Sequence, residues 1–171
     1  MSEKRTEISE IGEFGLIDKI TRETNNQNKS TILGIGDDAA VINHEGKLAV
    51  VSTDFLLEGV HFDLSYMPLQ HLGYKAVAVN VSDIAAMNAI PEQITVSVGL
   101  SNRFSLEAIE VFYKGVKAAC DNFKVDLVGG DTSSSASGFV ISVTALGKVV
   151  KDKIAKRSGS VEYDIICVTG D

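Results

Sequence analysis

Leu48-Ala49-Val50-Val51-Ser52-Thr53-Asp54-Phe55-Leu56-Leu57-Glu58-Gly59-Val60-His61-Phe62 is the stretch from which the rest of the chain can be read. It opens as a short run of Leu, Ala and Val, the composition of a buried strand. The run breaks into Ser-Thr-Asp, so a carboxylate is expected directly after the strand, at the mouth where α/β proteins hold ligands. Three further apolar segments lead into acidic residues in the same way, at Asp37-Asp38, Asp83 and Asp131.

Upstream, Asn43 to Lys47 reads as a hairpin turn feeding this strand. A hairpin there brings Asp37-Asp38 and Ser52-Thr53-Asp54 to neighbouring strand ends or to opposite ends of one pair, and the sequence leaves both open. Farther back, Ile11, Phe14, Ile17 and Ile20 recur at helical spacing, interrupted by Gly12 and Gly15, and Asn25 to Ser30 is a polar loop. Downstream, the spacing predicts a helix over 70–87 with Asn80 and Asp83 on one face. Pro91 ends that unit, and Ile94 to Leu100 alternates as a strand. A second helix runs from Ser105, its N-cap, to Asn122. Val125 to Val128 is a strand running into Gly129-Gly130-Asp131-Thr132, followed by a serine-rich turn and a long strand over 139–150. Lys156 to Gly159 is a basic turn, and Tyr163 to Val168 reads as a last strand. Such a strand, followed by Thr169-Gly170-Asp171, is expected to lead into more protein, so the chain reads as a fragment.

The 171 residues suffice for one domain with a real core, and mean hydropathy is +0.13. A formal charge of -7 argues against a duplex nucleic-acid binder, which needs a basic face. No apolar run is long enough for a membrane span and no hydrophobic segment follows the N-terminus, so no membrane partner and a cytoplasmic location are expected. Cys120 and Cys167 belong to no CxxC and read as two buried, reduced thiols.

Asp37, Asp38, Asp54, Asp83 and Asp131 each have an ordinary explanation as turn or capping residues. Gathered together they do not. Two carboxylates about 4 Å apart repel by roughly 4 kcal/mol at an effective dielectric of 20, so a cluster of them calls for cations. Oxygen ligands point to Mg²⁺ or Mn²⁺, which take further ligands from substrate phosphates. Neither a P-loop nor a GxGxxG is present.

Gly34-Ile35-Gly36-Asp37-Asp38-Ala39-Ala40, Ser52-Thr53-Asp54 with Glu58-Gly59-Val60-His61-Phe62, Asn80-Val81-Ser82-Asp83-Ile84-Ala85-Ala86-Met87, and Gly129-Gly130-Asp131-Thr132 together resemble the thiamine-monophosphate kinase family. Gly12 to Ile17 and Lys156 to Gly159 match it too, so the resemblance covers most of 11–171. Asn88 departs from it, standing where the family usually has Gly. The resemblance implies transfer of the γ-phosphoryl group of ATP to thiamine phosphate. It implies an α/β (α+β) N-terminal domain of the aminoimidazole ribonucleotide synthetase-like fold: a four-stranded mixed or antiparallel sheet with helices on one face, pairing across a homodimer into a barrel. It also implies that Asp38, Ser52, Thr53, Asp54, Asp83 and Asp131 bind several Mg²⁺ ions. Gly130, Asp131 and Arg157 would contact ATP, with Tyr113 at its base or ribose and His61 at thiamine phosphate; Asp37 would be a supporting residue. The family's second domain, which completes the site, is absent from these residues. The alternatives are a synthetase of the same superfamily and a non-catalytic metal-binding dimerisation module.

Overall fold

The computed structural model describes Gly15, 29–33, Asp37, 39–44 and 47–168, with backbone alone at His44 and Lys47. The predicted helix over 11–20, the Gly34 and Gly36 positions and the candidate ligand Asp38 lie outside the described residues, Gly15 excepted. In chain order come β1 (Thr31–Leu33), β2 (Ala40–His44), β3 (Lys47–Leu57), α1 (Leu69–Ala86), β4 (Ile90–Leu100), α2 (Leu106–Phe123), β5 (Asp126–Ser134) and β6 (Phe139–Val149). Two 3₁₀ turns, Lys151–Lys153 and Arg157–Gly159, follow. The strands form one open mixed sheet in the order β1-β2-β3-β6-β4-β5. Every neighbouring pair is antiparallel except β4 and β5.

The sheet therefore has six strands where the resemblance implied four. β1 is too short to read as a strand, and the Gly-Gly-Asp-Thr-Ser-Ser part of β5 has little β-propensity of its own. Its pairing with β4 holds it extended. The strand expected at Tyr163–Val168 does not form, and Ile165, Ile166 and Val168 are all at least 86% exposed; Cys167, expected to be buried, is exposed with them, and Cys120 is only half-buried. No described strand lies beside them to satisfy their backbone groups. Pro91 falls inside β4 at an irregularity between Pro91 and Gln93, one of the few places a strand tolerates it.

Alternation settles which face is the core. Leu48, Val50, Ser52 and Leu56 of β3, Ile94, Val96 and Val98 of β4, and Phe139, Ile141, Val143 and Ala145 of β6 are buried. Both helices cover this face, as predicted. Phe139 is its hub, with ring centroids of Phe112, Phe104 and Phe62 at 5.0, 5.2 and 6.3 Å. α1 meets α2 backbone to backbone: a Cβ on Gly73 would stand 2.1 Å from the Phe112 carbonyl oxygen, and one on Gly115 would stand 1.8 Å from that of Gln70. The opposite face of the sheet carries Thr53, Thr144, Thr95 and an exposed Phe55. No helix among the described residues is long and apolar enough to cross a membrane.

Candidate functional site

The β2–β3 hairpin answers the question its sequence left open. β2 begins at Ala40 opposite Val51, so the chain enters it beside Ser52, at the same end as Asp54. β3 does not stop at the carboxylate, however. It runs on to Leu57 because β6 pairs with it from Leu48 to Leu57. Asp54 thus projects from within a strand, not from its mouth, and the same is true of Asp131 in β5.

Ser52 and Asp54 lie two apart and face α1. The Ser52 hydroxyl donates to the Asp83 carboxylate at 2.9 Å. The Asp54 backbone N–H donates to Asn80 Oδ1 at 3.0 Å, and Asn80 Nδ2 donates to the Ala76 carbonyl at 2.9 Å. Asn80 is fully buried and satisfied at both ends, so it pins β3 to the helix at Asp54. Sequence reasoning put Asn80 on the face of Asp83 but gave it no partner. Burial, then the charge of Asp83, holds the Asp54 carboxyl above the usual carboxylate range, while His61 pulls it the other way.

The outer end of this seam is the turn after β3. Leu57 N–H donates to His61 Nδ1 at 3.0 Å, and Lys75 Nζ of α1 donates to the His61 carbonyl at 2.9 Å. Glu58 accepts from Phe139 N–H at 2.8 Å and pairs with Arg103, which ties the turn to the start of β6. The inner end is the tail beyond β6. Asn88 Nδ2 donates to the Lys153 carbonyl at 2.7 Å, and Ala155 N–H donates to the Met87 carbonyl at 3.2 Å. Asn88 sits at φ +54°, a left-handed position that glycine takes easily and Asn tolerates. The docked tail brings the Arg157 backbone N–H to the Asp37 carboxylate, at 3.3 Å from one oxygen and 3.5 Å from the other.

Two predicted metal ligands, Thr53 and Asp131, stand apart from the seam. The Thr53 hydroxyl lies on the other face, donating to the Val143 carbonyl at 3.0 Å and accepting from Thr144 at 3.1 Å. Only its backbone is available to the seam. Asp131 pairs with Ser97, which pairs with Ser142, which pairs with Phe55. It is therefore three strands from β3 and one residue out of step with Asp54, whose row ends at Gly130. Gly130 and Asp131 instead line a separate cavity of about 280 Å³ with Tyr113, Val96 and Leu127. A Cβ on Gly130 would lie 1.8 Å from the Val96 carbonyl oxygen, so only glycine lets β5 approach there. Burial raises the Tyr113 phenol, which stays a neutral donor beside this cavity.

Among the described residues, no group of three or more His, Cys, Asp and Glu is placed to hold a metal ion. What the seam offers is two carboxylates and a hydroxyl. An all-oxygen set with only one or two carboxylates suits Mg²⁺, which keeps waters and takes phosphate oxygens for its remaining positions. The raised Asp54 carboxyl fits that chemistry, since a cation would relieve the repulsion it shares with Asp83.

A family model described as AIR synthase related protein, N-terminal domain, matches residues 36–149. The chain belongs to that family. Within it, the chain is similar to the thiamine-monophosphate kinase of Bacillus subtilis (strain 168), 40% identical over 162 residues, which are 94% of this chain and 50% of that protein. The thiamine-monophosphate kinase of Aquifex aeolicus (strain VF5) is 37% identical over 163 residues, covering 95% and 50%. A solved structure of AaThiL complexed with AMPPCP and TMP superposes with a TM-score of 0.81 at 36% identity, over 93% of this chain and 48% of that one. The chain spans about half the length of the curated relatives it matches. The fold of that solved structure is thus shared over nearly the whole chain, and the seam lies inside the residues that the family model matches.

Proposed function

We propose that this chain is the ATP- and Mg²⁺-binding N-terminal domain of a cytoplasmic thiamine-phosphate kinase, which moves the γ-phosphoryl group of ATP onto thiamine phosphate to give thiamine diphosphate and ADP. One observation carries the reading: an all-oxygen seam of Ser52, Asp54 and Asp83 with His61 at its outer end, in a chain similar to a protein complexed with AMPPCP, an ATP analogue, and TMP.

Ser52, Asp54 and Asp83 would hold Mg²⁺, with Asp38 and the Thr53 backbone as further ligands. Bound there, the metal supplies charge neutralisation between two anionic phosphates. The protein's own part is alignment. Asn80 holds Asp54 against α1, and the turn after β3 holds His61 toward the acceptor phosphate. Gly130 and Asp131 would contact the nucleotide from the cavity they line with Tyr113, with Tyr113 at the base or ribose and Arg157 at the phosphates. No general base is needed, because the attacking phosphate oxygen is already anionic.

The separation of Asp131 from the seam favours a homodimer whose uncovered sheet faces meet, and a second domain closes the site. The test is incubation of the full-length protein with ATP, Mg²⁺ and thiamine phosphate. Thiamine diphosphate and ADP are expected in equal amounts, and an active protein that forms no thiamine diphosphate overturns the reading.

A further inference from the structure

His61 is an exposed histidine, a position where an imidazole ordinarily turns freely and exchanges tautomers. Here it cannot. The Leu57 N–H points at Nδ1 at 3.0 Å, a contact that favours the lone pair on that nitrogen and the ring proton on Nε2. The turn that aims it is closed on itself: Gly59 N–H donates to the Phe62 carbonyl at 2.7 Å, and His61 N–H donates to the Leu57 carbonyl at 2.9 Å. Gly59, at φ +80°, makes the reversal. Both flanks are anchored, Glu58 by Phe139 N–H and Arg103, Phe62 by burial edge-on against the Phe139 ring. Lys75, which no motif singled out, comes across from α1 to hold the His61 carbonyl, so the helix that carries Asn80 and Asp83 also sets the height of the imidazole.

We propose that the 57–62 turn holds His61 with Nδ1 as the acceptor of the Leu57 N–H and Nε2–H as a fixed donor for a phosphate oxygen, and that Lys75 is the residue that positions it. The lock is a property of this chain; the use made of it rests on the kinase reading.

Two measurements judge the two parts separately. Two-bond ¹H–¹⁵N correlation spectra of the 171-residue chain at neutral pH should show His61 with a bare Nδ1 and a protonated Nε2. Lys75→Met should move that pattern toward the mixed one of a free imidazole while the melting temperature holds. A mixed or Nδ1-protonated pattern in the parent chain overturns the lock, and an unchanged pattern in Lys75→Met overturns the role of Lys75. In the full-length protein, His61→Gln keeps a donor near Nε2, whereas His61→Asn keeps only the acceptor near Nδ1. His61→Gln should stay within about threefold of the parent, while His61→Asn and Lys75→Met raise KM for thiamine phosphate roughly tenfold at unchanged kcat, the mark of lost binding common to ground and transition state. Equal losses in the Gln and Asn variants overturn the donor role. A parent protein that makes no thiamine diphosphate sinks the kinase reading instead, and the spectra still decide the lock.

Discussion

At Asp54 burial and charge act on the same carboxyl. Its carboxyl is raised by burial and by Asp83, so ionising it costs folding free energy. The sign follows: a raised carboxyl favours the fold below the ordinary Asp value, about pH 4, and that contribution fades as pH climbs through the shifted value. Asp54→Asn carries no ionisable proton, so its stability relative to the parent should grow from pH 4 to pH 7 in urea titrations, and Mg²⁺ should narrow the gap. In the full-length enzyme the same variant should lose activity almost entirely. A fully active Asp54→Asn contradicts the metal role. Asn80 makes the complementary case. Asn80→Ala removes the acceptor for the Asp54 N–H in a fully buried site, a change worth about 2 kcal/mol, and it should also weaken Mg²⁺-dependent binding of AMPPCP in calorimetry.

At the scale of elements, the α1–α2 crossing is the least forgiving contact. With a Cβ at Gly115 falling 1.8 Å from a backbone oxygen, Gly115→Ala must push the helices apart, at about 3 kcal/mol or more in chemical denaturation. Ser105→Ala is the milder control. It deletes the cap that accepts from Ala108 N–H at 3.3 Å and should cost about 1 kcal/mol. The two helices were legible because each has a long apolar stripe. Their glycine contact was not, since a missing side chain leaves no mark in periodicity. Strand ends were misjudged for a related reason: Ser52-Thr53-Asp54 and Gly129 to Ser134 look like terminators in isolation, and only the neighbouring strands β6 and β4 keep them extended.

For the whole molecule, the open sheet face decides the quaternary proposal. Phe55 is 56% exposed on that face, amid Thr53, Thr144 and Ser142. Phe55→Asp should convert a dimer to a monomer in sedimentation velocity, and a wild-type chain that sediments as a monomer at high concentration counts against the pairing.

By itself the sequence placed the two helices and most of the strands, because those depend on alternation, helical period and residue type, which are local; the fold and its helix-covered face were implied by the resemblance of its motifs, and the roles of Ser52, Asp54 and Asp83 rest with the proposal. Tertiary structure alone decided that Ser52 reaches Asp83, that Thr53 turns away, that Asp131 stands three strands off, and that Lys75 reaches the His61 carbonyl. Each of those depends on which strand lies beside which and in what register. Register is set by pairings between residues far apart in the chain, where no local pattern reaches.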